Sequence, residues 1–456
     1  MSAAPSPPAR VVLDRRTRVL RRGGVVRVLG GDPVTLVTPT PSVAGLLRGQ
    51  VLTCDTPAAA ALARALTDRG MAHPDATRPD PAHPARALGE VTVVIPVRDD
   101  PAGLAALVHA LAPDLAGGAR LVVVDDGSAV PLAVPPSPAG ERTVILRHET
   151  SRGPAAARNA GTAAAVAPRI VAAEPGRFWV RGYETARSAL DMGPGPARVR
   201  PRTRVAYVPS AALAVSPHRL PPVPDGAGQG PFDERMHVAE DVDLCWRTDR
   251  AGGRIRYEPA SRVAHRHRTA VVPLLTRRAF YGTGAAPLAD RHGAAVAPAV
   301  AAPWSLAVAA GVWSGTPLGL AVAVAAAARA WSRTRALTGD GRAAAELVRR
   351  GVGASIRQLP EALLRPYWPA TAAVLVATAP SGSRPARALR RRVAAAALAE
   401  GVWHWWSARD PGRLPVDDPL GHVVLHRLDD LAYGVGVWRS AWAARSVAAL
   451  RPEFRR

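Results

Sequence analysis

VTVVIPVRDD (residues 91–100), followed by LVVVDDGS (121–128), is the stretch that decides the fold. Each begins as a near-continuous apolar run rich in β-branched residues, as expected of a strand buried on both faces of a parallel sheet. Each ends in a pair of acids. Pro101 to Ala112 between them has a helical pattern, so the whole reads as a βαβ unit. TVILRHE (143–149) adds a third strand, and GPAAARNAGTAAA (153–165) a helix with Gly153 and Pro154 at its start. The pattern is a doubly wound, Rossmann-like α/β sheet. Ligands are expected at the carboxyl ends of its strands.

Three segments then surround one crevice. Pro96, Asp99 and Asp100 end the first strand, and Asp125 and Asp126 end the second. RGPAAARNAG (152–161) supplies Gly153 for close backbone approach, with Arg158 and Asn159 on the helix behind it. Acids at the end of a buried strand bind something, because burying them unpaired costs several kcal/mol. One acid can accept from a base N–H while the other faces a ribose or a metal. The plainer reading is a helix cap and a turn.

A second constellation lies in FDERMHVAEDVDLCWR (232–247). Glu240, Asp241 and Asp243 fall in the first turn of a helix, where negative charge suits the N-terminus. A charged cap is the bland account; a positioned carboxylate acting as general base is the chemical one. GGRIRYEPASRVAHRHR (252–268) follows, a strand pattern ending in His265-x-His267.

Residues 1–10 read as a flexible arm. Residues 11–76 read as strands followed by helices over 41–49 and 55–74, a small winged-helix-like module. TRPDPAHPARALGE (77–90) is a Pro-rich linker, and 91–272 hold the α/β domain. An Arg/Ala-rich helical region fills 273–456. Its run 296–331 carries no charge until Arg329, with Arg277, Arg278 and Arg291 before it and Arg333 and Arg335 after it. Basic flanks on both sides favour a hairpin or in-plane helix pair at a membrane surface over a single crossing. YWPATAAVLVATAP (367–380) reads as an interfacial or core helix. WHWW (403–406) would suit a belt at headgroup level.

The chain has 456 residues, 48% of them hydrophobic, which excludes a disordered tail. Lys+Arg is 59 against Asp+Glu 36, a net charge of +23 with no lysine at all. The arginines are dispersed and not interleaved with aromatics in one patch, which argues against nucleic acid as partner. A basic surface still suits anionic partners such as nucleotide diphosphates. Two cysteines, Cys54 and Cys245, exclude a disulfide scaffold and a four-thiolate zinc site. MSAAPSPPAR at the N-terminus has no apolar core of a signal peptide, so the catalytic parts are expected on the cytoplasmic side of the cell membrane.

Residues 91–161 and 203–268 resemble the family 2 glycosyltransferases, through VTVVIPVRDD, VVVDDGS, RGPAAARNAG and FDERMHVAEDVDLCWR. That resemblance implies a GT-A fold and inverting hexosyl transfer. Asp241 of the Glu240–Asp241 pair would be the general base on the acceptor hydroxyl. Pro96, Asp99, Asp100, Asp125, Asp126, Gly153, Arg158 and Asn159 would form the donor side. A divalent metal, Mg or Mn, is implied, with His265 as a ligand. AVAPRIVA, YETARSALDMGPGPARVRP, TRVAYVPSAALAVS and the N-terminal RRGGVVRVLGG narrow the similarity to glycosyltransferases of the mycofactocin system. The donor is then a nucleotide-diphosphate sugar, glucose by expectation, and the acceptor a peptide-derived redox cofactor. Residues 11–76 resemble the peptide-recognition domains of peptide-maturation systems.

One departure stands out. RNAGTAAA (158–165) runs directly into VAPRIVA (166–172), where the family has an Asp-x-Asp strand that binds the donor's metal and diphosphate. Without it the metal ligands are incomplete. The alternative expectation is therefore a catalytically impaired or non-catalytic homologue that binds nucleotide and peptide.

Overall fold

The computed structural model describes residues 8–47, 49–75, 77–78, 87–164, 183, 190–210, 213–216, 220–224, 230–260, 270–407 and 418–455. The chain divides into two compact units. One comprises Met1–Glu174 with Leu190–His265, the other Pro175–Ala189 with Arg266–Arg456.

The first unit opens on two small antiparallel sheets. β1 (Arg10–Leu13) lies between β5 (Val51–Thr53) and β6 (Ala72–Pro74), and β3 (Val25–Gly30) between β2 (Arg18–Arg22) and β4 (Thr35–Val37). Gly23 and Gly24, with φ of 55° and 74°, make the two-residue turn that joins β2 to β3. The helix expected over 41–49 is only α1 (Pro41–Ala44), because the chain turns away into β5. The helix expected over 55–74 is α2 (Pro57–Asp68). Thr56 caps it by accepting from the Ala59 N–H at 3.2 Å, and Gly70, with φ of 67°, turns the chain back. The residues beyond pair with β1 instead, Val12 opposite His73. Tertiary pairing thus overrides the helical pattern. Val11, Leu13, Val28, Leu52, Leu62 and Leu66 form the core between these elements.

β7 (Thr92–Val97), β8 (Arg120–Asp126) and β9 (Thr143–His148) form a parallel sheet with β8 in the middle. α3 (Pro101–Ala110), α4 (Ala112–Ala116) and α5 (Gly153–Ala164) connect and cover it. Alternate strand residues point to opposite faces. Val93, Ile95, Leu121 and Val123 pack with Leu104 and Leu107 of α3. Val94, Val122 and Val124 pack with Ala157 of α5. Helices therefore cover both faces, which is why these strands read as continuous apolar runs. A Cβ on Gly161 would lie 2.2 Å from Val94 Cγ1, so α5 sits on the sheet at a distance only glycine permits. The junction after Ala164, where the resemblance leads one to expect an Asp-x-Asp strand, lies outside the described residues.

α6 (Glu240–Arg250) begins at the Glu-Asp pair, as its acidic first turn predicts. The strand expected from RIRYEP shortens to β11 (Arg256–Tyr257), paired antiparallel with β10 (Ala197–Arg198). Side chains tie β11 and the residues before it to β6 and α2. Arg254 meets Asp68 at 2.6 and 3.0 Å, and Arg256 meets His73 Nδ1 at 2.8 Å.

The second unit is helical. It holds α7 (Val271–Gly282), α8 (Ala285–His292), α9 (Pro303–Ser314), α10 (Pro317–Thr338), α11 (Gly341–Leu364), α12 (Trp368–Thr378), α13 (Arg384–Ser407) and α14 (Pro419–Ala443). One short parallel pair, β12 (Val300–Ala301) with β13 (Glu453–Phe454), closes it. The apolar run 296–331 breaks at Gly315, with φ of 62°, and Thr316 caps the helix beyond by accepting from Gly319 N–H.

The membrane-surface expectation finds no support here: no described helix is long and apolar enough to cross a membrane. The uncharged part of α10, residues 317–328, covers only about 18 Å at 1.5 Å per residue, against about 30 Å of hydrocarbon. Nor is α12 a core helix. None of its residues is buried, and Val376 is 73% exposed.

Candidate active site

The crevice at the carboxyl ends of β7 and β8 is built by acids acting on their own backbone. Asp100 caps α3, its Oδ1 accepting from Gly103 N–H at 2.9 Å. Asp99 takes a left-handed φ of 53°. Its N–H donates to Ser128 Oγ at 2.8 Å and its Oδ1 accepts from Ala129 N–H at 2.8 Å, which stitches the two strand ends together. Pro96 stands in register with Val124 just before this turn.

Asp125 is buried and accepts from Ser128 N–H, Leu132 N–H and the Arg147 guanidinium. Asp126 takes four partners: His148 Nδ1 at 2.7 Å, Ser151 Oγ at 2.8 Å, and the N–H groups of Arg152 and Gly153, each at 2.9 Å. Burial pushes both carboxyls up, but these hydrogen bonds outweigh it and hold both below the ordinary aspartate value. Asp126 thereby fixes the start of α5, and Gly153 enters the helix with φ of 89°.

α5 carries this frame to the second constellation. Arg158 pairs with Glu240 at 2.6 Å, its guanidinium 5.5 Å from the centre of the Phe232 ring. Asn159 donates to Phe232 O at 2.8 Å and to Glu234 Oε1 at 3.0 Å, and accepts from Phe232 N–H at 3.1 Å. Arg152 meets Glu234 at 3.1 Å. The Gly153–Arg158–Asn159 segment and the Glu240–Asp241 pair, distant in sequence, thus form one locus.

Asp241 is half-buried at the first turn of α6. Its Oδ2 accepts from Ser210 N–H at 3.1 Å and its Oδ1 from Val242 N–H at 2.8 Å. Burial, and then the negative charge of Glu240 beside it, push its carboxyl up to about 6 from the usual 3.8. An acid in that range is ionised near neutral pH yet basic enough to take a proton. The helix beneath it is firmly held. Buried Arg247 pairs with Asp243 at 2.7 Å and donates to the carbonyls of Pro221, Pro222 and Pro231. Trp246 Nε1 donates to Ala206 O at 2.8 Å.

Sequence reasoning did not find Ser210, His148 or Arg247. A backbone N–H has no sequence signature, and the role of Arg247 depends on three loop carbonyls that only folding gathers. His265 lies outside the described residues. Asp125 and Asp126 do not suit a divalent cation, because their carboxylates already accept from three and four donors of their own chain. Among the described residues, the one group of three acids and histidines close enough to share an ion lies elsewhere, in the helical unit.

No family model and no solved structure matches the chain. Two curated proteins do, each named Pre-mycofactocin glycosyltransferase. They come from Mycobacterium tuberculosis strains CDC 1551 / Oshkosh and ATCC 25618 / H37Rv. Each is 38% identical over 488 residues, covering 98% of this chain and 97% of the relative. The aligned span is longer than the chain's 456 residues, so this chain has gaps against both. A match of this extent does not favour the impaired-homologue alternative. With near-complete coverage in both directions, the chain belongs to the pre-mycofactocin glycosyltransferase family.

Proposed function

We propose that the protein transfers a hexose, glucose by preference, from a nucleotide-diphosphate sugar to a peptide-derived redox cofactor, with inversion at the anomeric carbon. The α/β part, 91–272, is read as a GT-A domain and residues 11–76 as a winged-helix-like module that recognises the peptide part of the acceptor. The observation that carries this reading is the junction of α5 with the Glu240–Asp241 turn. It sets a carboxyl raised to about 6 beside the helix that starts at the strand-end acids.

In the proposed step, Asp241 takes the proton of the acceptor hydroxyl as its oxygen attacks the anomeric carbon. The bond from that carbon to the diphosphate breaks, and the nucleoside diphosphate leaves with the electron pair. Asp99, Asp100, Asp125 and Asp126 shape the turns that receive the nucleoside, and Glu240 tunes Asp241. No step is assigned to a metal. The reading places the site on the cytoplasmic side, which fractionation of cells expressing the chain tests.

The direct test is transfer by the full chain with radiolabelled UDP-glucose and the peptide-derived acceptor, with and without manganese. Labelled acceptor, with loss of label in Asp241→Asn, supports the reading. No transfer from any common nucleotide-hexose to that acceptor sinks it.

A further inference from the structure

α13 and α14 face one another with a spacing of chemistry that sugar transfer does not use. Glu400 and His404 are four residues apart on α13, and His422, His426 and Asp430 are spaced by four on α14. Such spacing puts each set on one helix face. The two faces meet. His426 Nε2 lies 3.0 and 2.9 Å from the two oxygens of Glu400, and His404 Nδ1 lies 3.1 Å from His422 Nε2. The three imidazoles stack, with centroids 4.4 Å apart for His404 and His426. Gly401, between Glu400 and His404, makes the approach feasible: a Cβ there would stand 3.0 Å from Val423 Cγ1.

We propose that this cluster is a site for a divalent transition metal of the zinc class, held by Glu400, His426 and Asp430, with His404 as the nearest further imidazole. One donor atom from each of the three lies within 4.8 Å of the others, close to the span of ligands bound about 2.0–2.2 Å from one ion. Imidazole with carboxylate suits zinc and its first-row neighbours, and helix bundles build metal sites from facing helices in this way. His426 is fully buried and Asp430 nearly so, and a dry site suits a held ion. Outer partners are in place as well. Arg365 Nη1 donates to Asp430 Oδ1 at 2.8 Å, which orients the carboxylate.

Arg427 is the competitor. Its guanidinium contacts Glu400 and lies 3.0 Å from Asp430 Oδ2, so it bridges the same two carboxylates. Loading exchanges one cation for another. The Arg427 side chain is 17% exposed, so a cation that takes over both carboxylates has to displace a mostly buried guanidinium. The metal would clamp α13 to α14 and has no assigned part in transfer.

The test uses the untagged full chain, stripped with chelator, incubated with zinc sulfate and desalted. The expected result is one equivalent of zinc retained and a higher thermal midpoint with zinc than without. His426→Ala and Glu400→Gln should each lose that equivalent, and Arg427→Gln should bind zinc at least tenfold more tightly. Because His426→Ala removes a fully buried side chain, circular dichroism accompanies each variant, and Arg427→Gln decides the matter independently. Retention of no zinc by the parent overturns the proposal. So does retention unchanged in the folded Glu400→Gln variant, or no gain in affinity in Arg427→Gln.

Discussion

Arg158 and Glu240 lie 2.6 Å apart although 82 residues separate them in the chain. This pair joins the helix that begins at the strand-end acids to the turn that carries Asp241. Both side chains are largely buried, at 13% and 8% exposure. Removing one partner leaves the other charge uncompensated, a larger loss than an exposed pair would suffer. The pair also bears on chemistry, since Glu240 raises the Asp241 carboxyl and Arg158 lowers it.

Asp241→Asn is expected to lower transfer by about 10²–10⁴-fold, the usual worth of a positioned general base. Nucleotide binding should persist, because the strand-end turns do not involve Asp241. The variant loses a partly buried charge but also one of the two backbone N–H bonds to Asp241, so its thermal midpoint is measured beside the rate to separate lost chemistry from lost folding. Rates within twofold of the parent would remove Asp241 from the mechanism.

The pH profile carries the sign of the Asp241 shift. The base works only when ionised, so transfer should rise as pH increases through about 6 and level off above it. Glu240→Gln removes a neighbouring negative charge and releases Arg158, and both effects favour the ionised form. Its rising limb should therefore move to lower pH. Stability runs the other way: between the unfolded value of 3.8 and about 6 the native state holds the extra proton, so this group makes stability fall as pH rises. Rate–pH curves of parent and variant, overlaid, check the direction.

Asn159→Leu should destabilise the first unit. It strips partners from the buried N–H and C=O of Phe232, at about 1–3 kcal/mol for each group left unmet. The urea midpoint should drop, and transfer should drop with it because the Phe232–Asp241 segment loses its anchor. An unchanged midpoint would mean that solvent replaces these bonds.

Gly161→Ala tests how tightly α5 packs on the sheet. Its methyl would come within 2.2 Å of Val94 Cγ1 and 3.1 Å of Val124 Cγ2, both on fully buried residues. Overpacking of this kind costs about 1–3 kcal/mol. A lowered thermal midpoint is expected, in contrast to the stabilisation that Gly→Ala confers on an exposed helix.

Local chemistry explains what could be read from the residues alone. β7 and β8 are apolar runs because both faces of the sheet are covered there, and that burial writes itself into consecutive positions; β9 beside them leaves Val144 and Ile145 exposed. The Gly23–Gly24 turn, the cap at Thr56, the start of α6 at its acids and the break at Gly315 all follow from neighbours in sequence. Long-range pairing settled the remainder. β6 took the end of the expected helix because β1 offered it a strand edge. Asp125 and Asp126 turned inward onto their own loop because donors from 128–153 converge there. The cluster of Glu400, His426 and Asp430 exists only where two helices meet. Periodicity marks which face of an element is apolar; it carries no information about which other face will come to meet it.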